Sequence, residues 1–463
     1  MEYLHRCLRK LQCNPQFRFH PKCAKLGITN ICFADDLILF ARGDTVSVQL
    51  IMQAVKGFSQ ATGLKANPLK CKVFFGGVKP DDQTDILNIT GFTAGSFPFK
   101  YLGVPITSRK LHIALYQPLI DRIVHRIQNW TASFLSYAGR RQLIQSVLNA
   151  MTSYWMQIYP MPKKVIHHIC AICRSFLWNS RDGINRKSPI AWESVCEPRK
   201  AGGLNLVDLH CWNKATIIKL LWNLQAKDDK LWVMWMHIYY LKGQPINSWR
   251  IPTNCSWIMK KMMSYREDMT NSTYWSNSLQ AGRYITRCMY RELRGEKDPT
   301  PWYKFFYQNA AKPRARFIMW IALWDRLPTK SRLARFGIIT NVEYMFCRME
   351  DTQEHLMFDC GVTRNIWRLI LQWIGVNRIP TGWQNEKQWL CEETSRKGWK
   401  RMLLKVVAAE TVYAIWELRN AIIFKGHKVD DELPERIRTN IATRCNGVPK
   451  LKNHVSLEDL SIR

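Results

Sequence analysis

Acidic side chains are scarce in this chain of 463 residues: Asp and Glu number 36 against 68 Lys and Arg, a formal net charge of +32. That imbalance points to a polyanionic partner, because each phosphate neutralised releases condensed counterions. Nucleic acid fits ahead of an anionic membrane surface. Long apolar runs are missing too. No stretch of about 20 uncharged apolar residues exists to cross a bilayer, and Arg6, Arg9 and Lys10 break up any signal-peptide core at the front. No membrane partner is expected. A disulfide framework is also absent, since the 15 cysteines are odd in number and scattered. This suggests a reducing, intracellular setting, nuclear or cytoplasmic, with no disulfide partner. No fixed-period repeat recurs.

Apolar material is plentiful. Hydrophobic residues make up 47% of the chain, enough to bury sizeable cores in roughly two to four domains. Tryptophan reaches 20. Much of it falls at helical spacing and belongs to cores, while some could stack on bases.

Residues 28–40 are two short apolar runs around Ala34-Asp35-Asp36, the pattern of a strand, a tight turn and a second strand. Val48, Ile51, Met52, Val55 and Phe58 predict a helix over Ser47 to Thr62, with Gly63 as its C-cap. Lys72 to Phe75 reads as a strand, and Tyr101-Leu102-Gly103-Val104-Pro105 as a strand or turn. Helices are predicted over 115–134, 138–158 and 162–178, the last two parted by Pro160 and Pro162. A loop near 180–205 carries Gly202-Gly203, and a Trp-rich helical stretch comes next. Positions 243–300 look polar and irregular. Beyond Pro313 the expectation is a helix over 314–325, a loop carrying Cys347, His355 and Cys360, helices over 363–375 and 400–424, and a polar tail to Arg463.

Adjacent aspartates on a turn between apolar strands can hold divalent cations that activate a hydroxyl and neutralise a triphosphate. A lone Asp-Asp is more often a solvated turn, so the surroundings decide. Phe33-Ala34-Asp35-Asp36 resembles the reverse transcriptase palm signature. In order after it, Gly63, Asn67 and Lys70 resemble a palm-supporting segment of plant LINE-type (non-LTR) retrotransposon reverse transcriptases, and Tyr101-Leu102-Gly103 their primer grip. Leu135-Ser136-Tyr137-Ala138-Gly139-Arg140, Phe176-Leu177-Trp178, Trp192 and Gly202-Gly203-Leu204 are similar to the thumb and the segment C-terminal to it. The resemblance implies Asp35 and Asp36 as catalytic carboxylates and Mg²⁺ or Mn²⁺ as cofactor. It also implies a further metal-binding Asp on an earlier strand, yet Glu2 is the only acidic residue ahead of Asp35. The fingers, that Asp and the nucleotide-binding strand are therefore expected to be missing, and the isolated chain is expected not to polymerise.

Cys347, His355 and Cys360 follow Cys-x7-His-x4-Cys spacing, which suits tetrahedral Zn²⁺ but supplies three ligands where structural sites take four. Buried apolar cysteines and a core histidine would explain the same residues. Pro313-Arg314 to Trp320, Arg326-Leu327-Pro328-Thr329, Glu354-His355-Leu356, Phe358 and Trp367 resemble the reverse transcriptase zinc-binding domain. That family places an additional cysteine where this chain has Tyr344, so a degenerate zinc site is expected.

Arg122 and Arg126 are four apart and share a helix face; with Arg140 and Arg141 they are candidate nucleic-acid contacts, although a solvated face is the better reading for any one of them. The predicted class is α+β: a partial palm with a β-hairpin over 1–110, a helical thumb and connection over 111–240, a linker region over 241–300, a helical zinc-binding-type domain over 301–385, and a C-terminal helix and tail over 386–463. Nothing resembles an endonuclease at the front or a ribonuclease H carboxylate set at the back. The function expected is a non-polymerising reverse transcriptase portion that binds RNA and DNA. Two others compete with it: an active polymerase when longer or complemented, and a domesticated binding adaptor.

Overall fold

The computed structural model describes residues 2–107, 109–130, 135–178, 188–253, 255–344, 347–426, 432–452 and 454. The end of the helix expected over 115–134, part of the loop near 180–205 and the last residues of the tail lie outside them. The fold is α+β, and the chain divides into two compact units, residues 1–115 with 215–289 and residues 116–214 with 290–463.

The first unit holds the strands, paired as three separate two-stranded sheets. β1 (Asn30–Phe33) and β2 (Asp36–Leu39) run antiparallel with Phe33 opposite Asp36. β3 (Lys72–Val73) and β4 (Thr93–Ala94) are parallel, the former shorter than its apolar run predicts. β5 (Phe99–Tyr101) and β6 (Val104–Ile106) form a second hairpin. Its turn is Leu102-Gly103, with φ of 48° and 80°; two successive left-handed residues match the twist of the flanking strands. The helix predicted from Ser47 starts at Thr45, because the Asp44 carboxylate accepts the Ser47 N–H at 2.8 Å. Gly63 ends it at φ 74°. Leu4, Leu8, Phe17, Ile51 and Phe58 form a core on which Leu37 and Leu39 of β2 rest. One side of the first hairpin is thereby fixed, while Phe33 on its rim stays exposed.

Residues 241–300, expected as a linker region with short elements, carry several short helices among the described residues. Helices Trp257–Met263, Arg266–Thr270, Thr273–Gln280 and Thr286–Arg294 bury Met259, Met262, Met263, Met269, Trp275 and Met289. Unbranched thioethers fill irregular gaps without a tidy apolar period, which is why this segment reads as polar. The residues just before it are tied to the front of the same unit: the Trp235 indole donates to Lys22 O at 2.7 Å, and the Lys25 N–H to the Tyr239 hydroxyl oxygen at 2.9 Å.

The second unit is helical, with no named strand among its described residues. Tyr137 to Ile158 is one run containing a wider turn at Ile144–Leu148, and Lys163–Trp178 comes after the two prolines. The longest helix, Trp399–Lys425, packs against Pro313–Leu323, Gly361–Trp373, Trp383–Glu393 and Leu433–Asn446. The last of these falls in the segment expected as a polar tail. Leu433, Ile437, Ile441 and Cys445 recur every fourth position and are buried, so a narrow apolar stripe suffices to dock an otherwise charged helix.

Candidate active site and candidate metal centre

Asp35 sits in the turn between β1 and β2, and Asp36 opens β2; both are exposed. Ala34 takes φ 51°, the left-handed conformation that lets four residues reverse the chain. Tyr101, at the end of β5, is close enough to feel the Asp36 carboxylate. Its phenol is pushed up first by burial, then by Asp36 and Cys32. The turn predicted to carry metal and the hairpin predicted to grip a primer are therefore neighbours within one unit. Leu102 is exposed at the tip of that second hairpin. Gly63, Asn67 and Lys70 lie on an exposed loop, where the Asn67 side chain accepts the Leu69 N–H at 3.0 Å. Among the described residues, no third acidic side chain joins Asp35 and Asp36 in a metal-holding group.

One such group does exist, in the second unit. Donor atoms of Cys347, His355 and Cys360 all lie within 4.8 Å of one another, with Cys347 Sγ 2.9 Å from His355 Nε2. Glu343 and Glu350 close a short antiparallel bridge around the turn carrying Cys347, and Tyr344 N–H donates to Met349 O at 2.6 Å. His355 is seated by its N–H donating to Thr352 Oγ1 at 3.0 Å. Cys360 caps the helix Gly361–Trp373. Burial raises its thiol, while N–H groups of Thr363 and Val362 at that helix start pull the other way. Burial lowers the His355 pKa, which favours the neutral, ligating imidazole despite Asp359 and Asp351.

Tyr344 lies beside this group. Its ring meets the His355 ring edge-on at 5.3 Å, and burial, Cys360, Asp351 and Cys347 all push its phenol up. A phenol held neutral is a poor zinc ligand. The donors fit a zinc ion with three protein ligands; they do not complete a closed four-ligand site.

Residues 3–106 match the reverse transcriptase (RNA-dependent DNA polymerase) family, and residues 284–367 match the family described as zinc-binding in reverse transcriptase. These matches support a plant retrotransposon reverse transcriptase with a C-terminal zinc-binding domain. The chain is also similar to an Arabidopsis thaliana protein named "Putative ribonuclease H protein", 28% identical over 155 residues. That stretch covers 33% of the chain and 25% of the relative's length. The two matched families imply divalent metal use, zinc binding and nucleic-acid partners. Among the described residues, no helix is long and apolar enough to cross a membrane.

The four candidate arginines divide. Arg122 and Arg126 are exposed on the helix Gln117–Gln128, whose Leu119, Ile120 and Ile123 are buried. Arg140 corrects the sequence reading: it is 5% exposed, its Nη1 donates to Leu177 O at 3.4 Å, and it packs over the Tyr137 ring at 5.3 Å. An interior guanidinium committed to a carbonyl is not presented to a polyanion. Arg141 is half-buried, with Nε donating to Leu204 O at 2.9 Å.

Sequence reasoning missed two ion pairs of buried carboxylates in the second unit. The Arg419 guanidinium pairs with the Asp351 carboxylate, which also accepts the Lys330 N–H at 2.7 Å. Glu386 accepts the Trp367 indole and Arg378 Nε, each at 2.9 Å. The one sign of the first pair was a charge among the apolar positions of a helical stretch, Arg419 beside Ile415, Trp416 and Leu418; nothing in the sequence marks Glu386.

Proposed function

We propose that this chain is a template- and primer-holding portion of a retrotransposon RNA-directed DNA polymerase, one that binds RNA and DNA and does not add nucleotides by itself. One observation carries the catalytic half of this reading: Asp35 and Asp36 are exposed on a hairpin turn beside Tyr101, with no third carboxylate gathered to them among the described residues. Nucleotide addition by two cations requires both ions about 3.5–4 Å apart between shared ligands. A pair of adjacent aspartates can hold one cation loosely and cannot bridge two. The family match and the net charge of +32 support the binding half. In that role the turn and the second hairpin would orient a primer end, and the exposed Arg122 and Arg126 would contact backbone phosphates. The free cysteines suit a reducing compartment, so the proposed setting is intracellular, nuclear or cytoplasmic.

Primer extension on an RNA template with Mg²⁺ or Mn²⁺ tests the catalytic half, and the expected result is no product. Extension that disappears in Asp35→Asn would overturn it. A second reading is favoured by the hairpin geometry, in which Tyr101 already lies beside Asp36: polymerase activity returns once a longer or separate polypeptide supplies the earlier carboxylate. Supplying that palm segment in trans separates the two readings.

A further inference from the structure

Three guanidinium groups, of Arg141, Arg199 and Arg316, gather around Tyr307 in the second unit, and Arg444 lies beside Arg316. Arg199 Cζ lies 5.6 Å from the Tyr307 ring centroid and Arg316 Cζ 5.9 Å from that of Phe306, and the two rings are 4.6 Å apart. The Tyr307 hydroxyl donates to Gly203 O, which fixes the platform. Arg141 is anchored by its Nε to Leu204 O, and Arg444 by its Nε to Ala310 O at 2.6 Å. Arg199 is within electrostatic reach of Arg141 and Arg316, and Arg444 of Arg316.

None of the four forms an ion pair among the described residues. The nearby acids are otherwise engaged. Glu197 bridges Lys297 at 3.4 Å. Glu410 is buried, accepts the Lys312 N–H at 2.7 Å and feels Arg444 only at longer range. Arg316 Nε is buried without an acceptor. Burial and mutual repulsion both lower the pKa of Arg141 and Arg316. A fold that holds like charges together, with N–H groups to spare, is suited to an oxyanion. The planar fork of arginine matches phosphate, and the rings beside it suit stacking of an attached base.

We propose that Arg141, Arg199, Arg316 and Arg444 form a phosphate site that engages the backbone of a bound nucleic acid. The source of the phosphate rests on the nucleic-acid reading above; the oxyanion chemistry stands apart from it. Exposed Arg199 and half-buried Arg316 are the positions to change, since neither side chain donates to a backbone carbonyl.

The experiment compares the full chain with Arg199→Gln/Arg316→Gln in two assays: anisotropy titration of a labelled single-stranded RNA across salt concentrations, and thermal melting with and without inorganic pyrophosphate. Arg199→Lys/Arg316→Lys keeps the charge and loses the fork. The Gln pair is expected to bind RNA roughly ten-fold or more weakly, with a salt slope shallower by about 1.4, near 0.7 for each phosphate no longer neutralised. The Lys pair is expected to keep the slope with a smaller loss. Pyrophosphate should raise the melting temperature of the wild type and not of the Gln pair, and without anion the Gln pair should melt no lower than wild type. Equal RNA binding and equal pyrophosphate response in wild type and Gln pair would overturn the site and leave the nucleic-acid reading standing. A wild type that ignores RNA, with a pyrophosphate response lost in the Gln pair, would uphold the oxyanion site and sink that reading. Absence of both responses in the wild type would remove both. An anion-free Gln pair that melts well below wild type would make these arginines structural props and overturn the proposal.

Discussion

At the scale of single residues, the metal centre turns on Tyr344. Cys347, His355 and Cys360 are already gathered, so a fourth thiolate would be the main missing element of a closed site. Tyr344→Cys is expected to convert weak, readily chelated zinc binding into stoichiometric binding, and Cys347→Ser to abolish it; metal analysis after dialysis against a mild chelator checks both. If Tyr344→Cys binds no more zinc than wild type, the corner it fills is not the fourth ligand position. The substitution was legible only through the resemblance to the zinc-binding family, whose pattern places a cysteine three positions before Cys347, where this chain has Tyr344. The burial that keeps its phenol neutral was not, since it arises from tertiary packing that local spacing does not show. His210 offers a second test. Burial lowers its pKa, with His167 and Lys163 adding to the effect and Asp208 and Glu193 opposing it. A histidine so placed is neutral in the fold and takes up its proton more readily once unfolded. Its contribution is intact above the free value of about 6.5 and is lost as pH falls through that range. Melting temperature should drop from pH 7 to pH 5, and His210→Gln should make the drop shallower.

At the scale of elements, Gly202-Gly203 illustrates what a motif conceals. The sequence marks it as a loop, and the loop is there. Its purpose depends on residues more than a hundred positions away: the Trp320 and Trp324 indoles both donate to Gly202 O, at 2.7 and 3.3 Å. Gly202 takes φ +85°, and a Cβ on it would strike the Trp302 ring at 2.6 Å. A Cβ on Gly203 would lie 2.1 Å from Glu197 O, which cannot swing aside as a side chain could. Gly203→Ala should therefore cost about 1–3 kcal/mol and displace the indole acceptor beside it. A lowered melting temperature with altered tryptophan fluorescence is the expected signature; an unchanged melt would mean that the turn yields freely. Helices with a broad apolar period, such as Lys163–Trp178 and Trp399–Lys425, were legible almost to their ends. Those built on methionine or on a one-residue-wide stripe were not, because a charged majority masks them.

At the scale of the whole molecule, one quantity read from composition has two consequences of opposite sign. A net charge of +32 makes the chain repel itself, and ions within a Debye length of about 10 Å at 0.1 M screen that repulsion. Added salt should therefore raise the melting temperature between about 0.02 and 0.3 M. The same positive charge draws in nucleic acid by releasing counterions, and added salt opposes that release. Affinity for RNA or DNA should consequently fall steeply over the same interval, linearly in log–log form. Melting curves and binding isotherms on one preparation settle both slopes. If stability and affinity fell together, the basic residues would be engaged in attractive pairs within the fold rather than held in excess. The guanidiniums around Tyr307, and Arg122 with Arg126 on an open helix face, argue for excess. Buried pairs such as Arg419 with Asp351 should contribute little to either slope, because screening acts weakly on charges that solvent does not reach.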